Sequence, residues 1–181
     1  MIPRYNRPEI AKIWSDDNKF KIWIEIECLI AEQLANLGKI PKKAAKEIRL
    51  KANYNVKEIE EIEKETKHDL VAFINNVSSY IGKSSKYFHH GVTSSDIIDT
   101  CFSIQLKRTG EIICKQLKNL IKELKVKSLK HKKTLMMGRS HGIHAEPTTF
   151  GLKILSYYFE FKRNLKRLEN AIDEISICAI S

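Results

Sequence analysis

Two stretches of this chain hold a helical repeat for so long that they decide its architecture. From Ser95 to about Lys133, Ile98, Phe102, Leu106, Ile113, Leu117, Ile121 and Leu124 recur at helical spacing, with lysines on the other faces. After a glycine-containing interval, Leu152, Leu155, Tyr158, Leu165, Leu168, Ile172 and Ile175 form a second stripe in three- and four-residue steps. Stripes of that kind pack helices at shallow angles in bundles. At a rise of about 1.5 Å per residue, each helix is ~45 Å or more long. Two such rods cannot bury their apolar faces on each other alone, so other helices must complete the bundle. With only 7 Gly and 4 Pro, the chain favours long helices over many short strands, and an all-α fold is predicted. Gly110, inside the first run, permits a bend or a close helix contact there.

The length of 181 residues and a hydrophobic content of 43% allow a real core and argue against disorder. A formal charge of +10, from 32 Lys+Arg against 22 Asp+Glu, points to an anionic partner: nucleic acid, or a phosphorylated or polycarboxylate small molecule. The lysines are spread along every helix, not gathered on one face with aromatic interleaving. That distribution argues against a nucleic-acid interface, because charge runs on helices are usually solvated. Cys28, Cys101, Cys114 and Cys178 show no C-x-x-C pairing and are read as small buried hydrophobes of a reducing compartment. The opening MIPRYNRPEI lacks the apolar core of a secretory signal, and no stretch approaches the ~18 uncharged apolar residues that span a bilayer. A soluble, cytoplasmic protein is expected.

Ahead of the long helices, Arg4 and Tyr5 lie on an extended arm, and Pro8 suits the first turn of a short helix through Trp14. Asp16 or Asp17 is expected to cap the next helix, whose stripe is Ile22, Ile26, Leu29, Ile30 and Leu34. Gly38 ends it, and Pro41 starts a third. Short, partly exposed helices follow around Tyr54 and Asn55.

Chemistry-bearing residues gather in three later segments. Lys67-His68-Asp69 interrupts an acidic run and opens an apolar helix, where free backbone N–H groups collect. The simpler explanation is that Asp69 complements the helix dipole while His68 faces water. His89-His90-Gly91-Val92-Thr93-Ser94-Ser95-Asp96 sets a turn before a cluster of capping residues. One hydroxyl suffices for a cap, so the others are left for a carboxylate or phosphate at the helix start. The adjacent histidines lack the spaced carboxylates or cysteines that would complete a metal site, and none is expected. The third segment, Met136 to Gly151 (MMGRSHGIHAEPTTFG), connects the two long helices. Gly138 and Gly142 permit sharp turning, and His141 stands beside Gly142 in a stretch too polar for core. An imidazole there can give and take a proton near neutral pH. A helix–helix connection with solvated histidines is the plainer alternative.

In this order, KHD, HHGVTSSD and MMGRSHGIHAEPTTFG resemble the adenylosuccinate lyase family of the fumarase/aspartase superfamily. IPRYNRPEI and KIWIEIECLIAEQLANLGKIP are similar to that family's start, so the resemblance covers essentially the whole sequence. The wording of the N-terminal RY, KHD and GRSHGIHAEPTTFG is closer to this family than to argininosuccinate lyase, fumarase or aspartase. The resemblance implies a small N-terminal helical domain, residues 1–92, and the first part of a central long-helix bundle, residues 93–181. It implies a homotetramer with active sites shared between subunits, and β-elimination of fumarate from adenylosuccinate, giving AMP. The related succinyl-aminoimidazole-carboxamide ribotide is a second substrate; no cofactor, metal, membrane or nucleic acid is implied.

Carried over residue by residue, His141 is the general acid to the departing nitrogen and His68 a supporting imidazole that orients substrate or shares proton transfer. Thr93 and Ser94 match the hydroxyls that hold a succinyl carboxylate, and Arg4 and Tyr5 the pair that meets the phosphate. Lys67 and Asp69 flank the nucleotide, and His89 lines its phosphate end. Ser140 replaces the family's usual threonine, and His90 stands where tyrosine is common. The family continues for more than two hundred further residues, roughly, with a serine loop that supplies the base. The expectation is therefore an N-terminal portion, inactive alone. The alternative is a basic helical module that binds nucleic acid or serves only in assembly.

Overall fold

Among residues 2–180, which the computed structural model describes, seven α-helices and one β-hairpin follow one another. The helices are α1 (Pro8–Ile13), α2 (Asp16–Asn36), α3 (Lys42–Lys51), α4 (Val56–Thr66), α5 (Asp69–Ile81), α6 (Ser94–Lys130) and α7 (Phe150–Ile175). Strands β1 (Leu135–Ser140) and β2 (Ile143–Thr149) lie between α6 and α7. Contacts divide the chain into two compact units: one runs to Gln105 and resumes at Ile177, and the other is Leu106–Ser176.

In the first unit α2 supplies Phe20, Trp23, Ile26 and Cys28 to the core. Against them pack Ile48 of α3, Ile59 of α4, Leu70, Phe73 and Val77 of α5, and Ile97 and Cys101 of α6. Phe73 stacks on Phe20 at 5.7 Å between ring centroids and meets Trp23 edge-on at 5.2 Å. Ser15, not Asp16 or Asp17, caps α2: its Oγ accepts the Asn18 N–H at 3.2 Å. The aspartates fall in the first helical turn, where their charge meets the positive end of the helix dipole. At the other end Gly38 has φ +70°, Lys39 N–H donates to the Leu34 carbonyl and Gly38 N–H to that of Ala35. That is a complete Schellman stop. Leu29, placed on the buried stripe by its spacing, is 46% exposed.

Asn55 caps α4 by accepting two backbone N–H groups. Buried Asn76 of α5 accepts the Asn55 N–H at 3.0 Å and donates to Glu58 at 2.7 Å, locking the two helices. Cys28, Cys101 and Cys114 are buried, as read from the sequence, but Cys178 is exposed because α7 ends three residues before it. Burial above all, with nearby carboxylates, raises the Cys28 thiol to about 11 against the lowering effect of Arg49, so it stays protonated and inert. No helix among the described residues is long and apolar enough to cross a membrane.

In the second unit the connection between the long helices is an antiparallel ribbon, not the irregular turn suggested by its glycines. Leu135 pairs with Thr149 and Ser140 with Ile143, leaving His141-Gly142 as a two-residue turn with φ +51° and +81°. Positive φ at both positions is the requirement of a type I′ hairpin turn. Gly138 lies at the register shift in β1, where a Cβ would come within 2.6 Å of the Glu146 carbonyl oxygen. Its role is thus space for a close backbone approach. Gly110 likewise marks a close helix contact, since a Cβ there would meet the Ile172 side chain at 2.7 Å. The α7 face that is covered runs through Ile154, Leu155 and Tyr158, whereas Leu152 is 60% exposed. Ile113, Leu120, Val126 and Leu129 on α6, and Tyr157 and Phe159 on α7, also remain exposed. The two long helices do leave apolar surface uncovered.

The hairpin is clamped at its base. Phe150 N–H donates to the Thr134 carbonyl at 2.9 Å and Gly151 N–H to that of His131 at 3.0 Å. A Cβ on Gly151 would overlap the Ser128 carbonyl oxygen and come within 2.7 Å of Lys132 Cα. Backbone cannot swing aside as a flexible side chain can. Gly151→Ala is therefore expected to cost about 1–3 kcal/mol through overpacking, read as a lower urea midpoint with an unchanged slope.

Candidate functional site

Each of the three motif segments lies in a turn of defined geometry. Lys67 ends α4 in the left-handed conformation, φ +54°, with its N–H donating to the Glu63 carbonyl at 2.8 Å. His68 then caps α5: the Val71 N–H reaches its Nδ1 at 3.5 Å, and Thr66 Oγ1 donates to its carbonyl at 3.2 Å. An accepting Nδ1 leaves the proton of a neutral ring on Nε2. Asp69 Oδ1 accepts the Leu70 N–H at 2.7 Å and stands 3.4 Å from His68 Nδ1. Both of these side chains are about half exposed, so a ligand can reach them.

The second segment is anchored at three points. Phe88 is buried against Phe73, with ring centroids 6.1 Å apart. His89, at φ +57°, sends its N–H to Glu27 Oε2 at 3.1 Å and holds its Nδ1 2.6 Å from Glu27 Oε1. Thr93 N–H donates to Asp96 Oδ2 at 2.7 Å, the backward half of a capping box at the start of α6. Thr93 and Ser95 are exposed there and Ser94 is half-buried. This is the hydroxyl-bearing helix start that the sequence predicts. Behind this turn an apolar cleft of about 460 Å³ is lined by Ile26, Leu34, His90 and Val92 among others, but not by His89, Thr93 or Ser94.

Arg4 and Tyr5 form a 3-10 turn, not an extended arm, with the guanidinium donating to the Tyr5 hydroxyl at 3.1 Å. Both are exposed. His141 stands at the hairpin tip in the second unit, exposed, with no hydrogen bond or ion pair to another described residue. All other sequence-predicted site residues belong to the first unit.

One backbone feature links the three segments. Among the described residues, the non-glycine positions with positive φ are Lys67, His89 and His141, one in each motif. Each costs roughly 1 kcal/mol or more relative to glycine, and strain of this kind concentrates where a side chain must be aimed at a ligand. Sequence reasoning missed Glu27, the buried partner of His89. The available signal was its place on α2, one turn from Trp23 and one from Ala31, both buried. A carboxylate on a buried face needs a partner elsewhere in the chain.

Residues 4–181 match the model of a family described as Lyase. Over all 181 residues the chain is 47% identical to a curated adenylosuccinate lyase of Bacillus subtilis and, equally, to one of Streptococcus mutans. It spans 42% of the length of these relatives. Among solved structures it is similar to a fumarate lyase from Mesorhizobium, with TM-score 0.88 and 27% identity over 95% of this chain and 41% of that one. The fold is also that of a 3-carboxy-cis,cis-muconate lactonizing enzyme from Pseudomonas putida, with TM-score 0.90 and 23% identity over 97% of this chain and 42% of the other.

Proposed function

This chain belongs to the lyase family that its residues 4–181 match, and on that footing we propose that it is part of an adenylosuccinate lyase. Its full-length protein would eliminate fumarate from adenylosuccinate to give AMP, and act likewise on the succinyl-aminoimidazole-carboxamide ribotide. The observation that carries this reading is the 47% identity to curated adenylosuccinate lyases across every residue of the chain.

The elimination removes a proton from the succinyl Cβ, and that electron pair becomes the new double bond of fumarate. The C–N bond breaks toward nitrogen, which must be protonated as it leaves. His141 supplies that proton, from a fixed, exposed tip that a bulky substrate can approach. His68 orients the substrate or shares the proton transfer, with Asp69 beside it. Thr93 and Ser94, at the positive end of α6, hold a succinyl carboxylate and with it the charge that develops in the transition state. Arg4, Tyr5 and His89 meet the phosphate, and Lys67 and Asp69 flank the nucleotide. The base belongs to a serine loop elsewhere in the full-length protein, as the family resemblance implies.

Residues 1–92 then act as an N-terminal domain, and residues 93–181 as the first part of a central bundle. The exposed apolar faces of α6 and α7 support assembly of that bundle from several copies, as a cytoplasmic homotetramer. His141 of one copy would meet His68 and Ser94 of neighbouring copies. The test is direct. The full-length protein given adenylosuccinate is expected to release fumarate and AMP in equal amounts, followed by absorbance and chromatography. No release at micromolar enzyme would sink the proposal.

A further inference from the structure

Two carboxylates are buried among the described residues, Glu27 and Asp96. Asp96 has a helix start to serve. Glu27 does not: it sits in the middle of α2, its side chain fully out of solvent, and both of its oxygens contact His89. Burying a carboxylate is costly unless it is paired and hydrogen-bonded. Merely tying the 88–91 turn to α2 would not require a charge, because a neutral amide could accept the same backbone N–H. What only a carboxylate enforces is the state of the ring. An ionised carboxylate accepts and never donates, so Nδ1 at 2.6 Å must carry a proton. Nε2 is then the ring atom left for a ligand, on a side chain that is 19% exposed and set in left-handed backbone.

We infer that Glu27 is the positioning residue for His89: through two hydrogen bonds it turns Nδ1–H inward and fixes the ring's orientation, and as the counter-charge of the imidazolium it lets Nε2–H donate to a phosphate on the substrate. The inference rests on the reading above, in which His89 lines the phosphate end of a nucleotide. It goes beyond that reading in assigning the buried glutamate a part in recognition.

The experiment uses the full-length protein with two substrates, adenylosuccinate and the same compound without its phosphate. Glu27→Gln is expected to raise KM for the nucleotide on the order of ten- to hundredfold, the size of one lost charge-assisted hydrogen bond, with kcat within a few-fold. It should leave KM for the phosphate-free compound unchanged. In a His89→Gln background it should add little, because its effect passes through that ring. A penalty that is equal for both substrates, or that adds in full to His89→Gln, would make Glu27 a packing residue and overturn the inference. If Glu27→Gln does not fold, Glu27→Asp, which keeps the charge but withdraws it, should show the same phosphate-selective loss. Calorimetric binding of AMP and adenosine separates the two levels of the proposal. Phosphate-selective weakening without turnover in the wild type would sink the lyase reading and keep Glu27's role. Turnover with a penalty indifferent to phosphate would do the reverse.

Discussion

Replacing His141 with alanine in the full-length protein is expected to lower kcat for fumarate release by about 10²–10⁴-fold, the usual contribution of a positioned general acid. KM should change little, since the lost interaction is made chiefly in the transition state. The turn itself supplies the control. His141 has φ +51° and is followed by Gly142 at φ +81°, so any replacement must tolerate the left-handed region. Asparagine does so more readily than alanine. His141→Asn should therefore keep the hairpin and its melting temperature yet lose activity as deeply as His141→Ala. If asparagine restored kcat to within a few-fold of wild type, the residue's role would be conformational and the acid would have to be sought elsewhere.

The helices were largely legible in the sequence because their signals are local. Apolar spacing located α2 and the long α6 and α7, and Gly38 and Pro41 bracketed the stop and restart between α2 and α3. Where two local signals competed, the sequence could not rank them. The α2 cap is expected at Asp16 or Asp17, yet the Asn18 N–H bonds to the neighbouring hydroxyl of Ser15. The ribbon that carries His141 was hidden for a different reason. Type I′ turns are usually announced by Asn-Gly or Asp-Gly, whereas here the pair is His-Gly, and Pro147 speaks against a strand. In a two-stranded ribbon every strand is an edge, so Pro147 can sit opposite Met137 without breaking a ladder.

The candidate residues could be picked out as letters, but their geometry could not. His68, His89 and His141 could be named from their motifs, yet nothing in the letters shows that Lys67, His89 and His141 share a left-handed backbone. Glu27 stayed invisible because its partner is 62 residues away, and only tertiary packing brings the two together. The stripe on α7 was displaced from Leu152 to Ile154 because Gly151 seats that helix against the end of α6.

Phe73→Ala tests whether the aromatic core fixes the motif turns. Phe73 is fully buried on α5, the helix that His68 caps, and it packs against Phe88, the residue before His89. Its other neighbours, Phe20 and Trp23, belong to the helix that carries Glu27. One ring thus touches the supports of both turns. Truncation to alanine removes the transfer energy of a whole aromatic side chain and leaves a cavity, a loss of about 3–5 kcal/mol. That is a large part of the 5–15 kcal/mol typical of a folded domain. Urea unfolding should show the midpoint falling by one to two molar, roughly, if the slope is near 2–3 kcal/mol per molar. Phe73→Leu, which refills most of the volume, should recover more than half of the loss. A drop below about 1 kcal/mol for the alanine variant would mean that the cluster collapses around the gap. The positions of His68 and His89 would then depend on their capping bonds and on Glu27, and not on the ring beneath them.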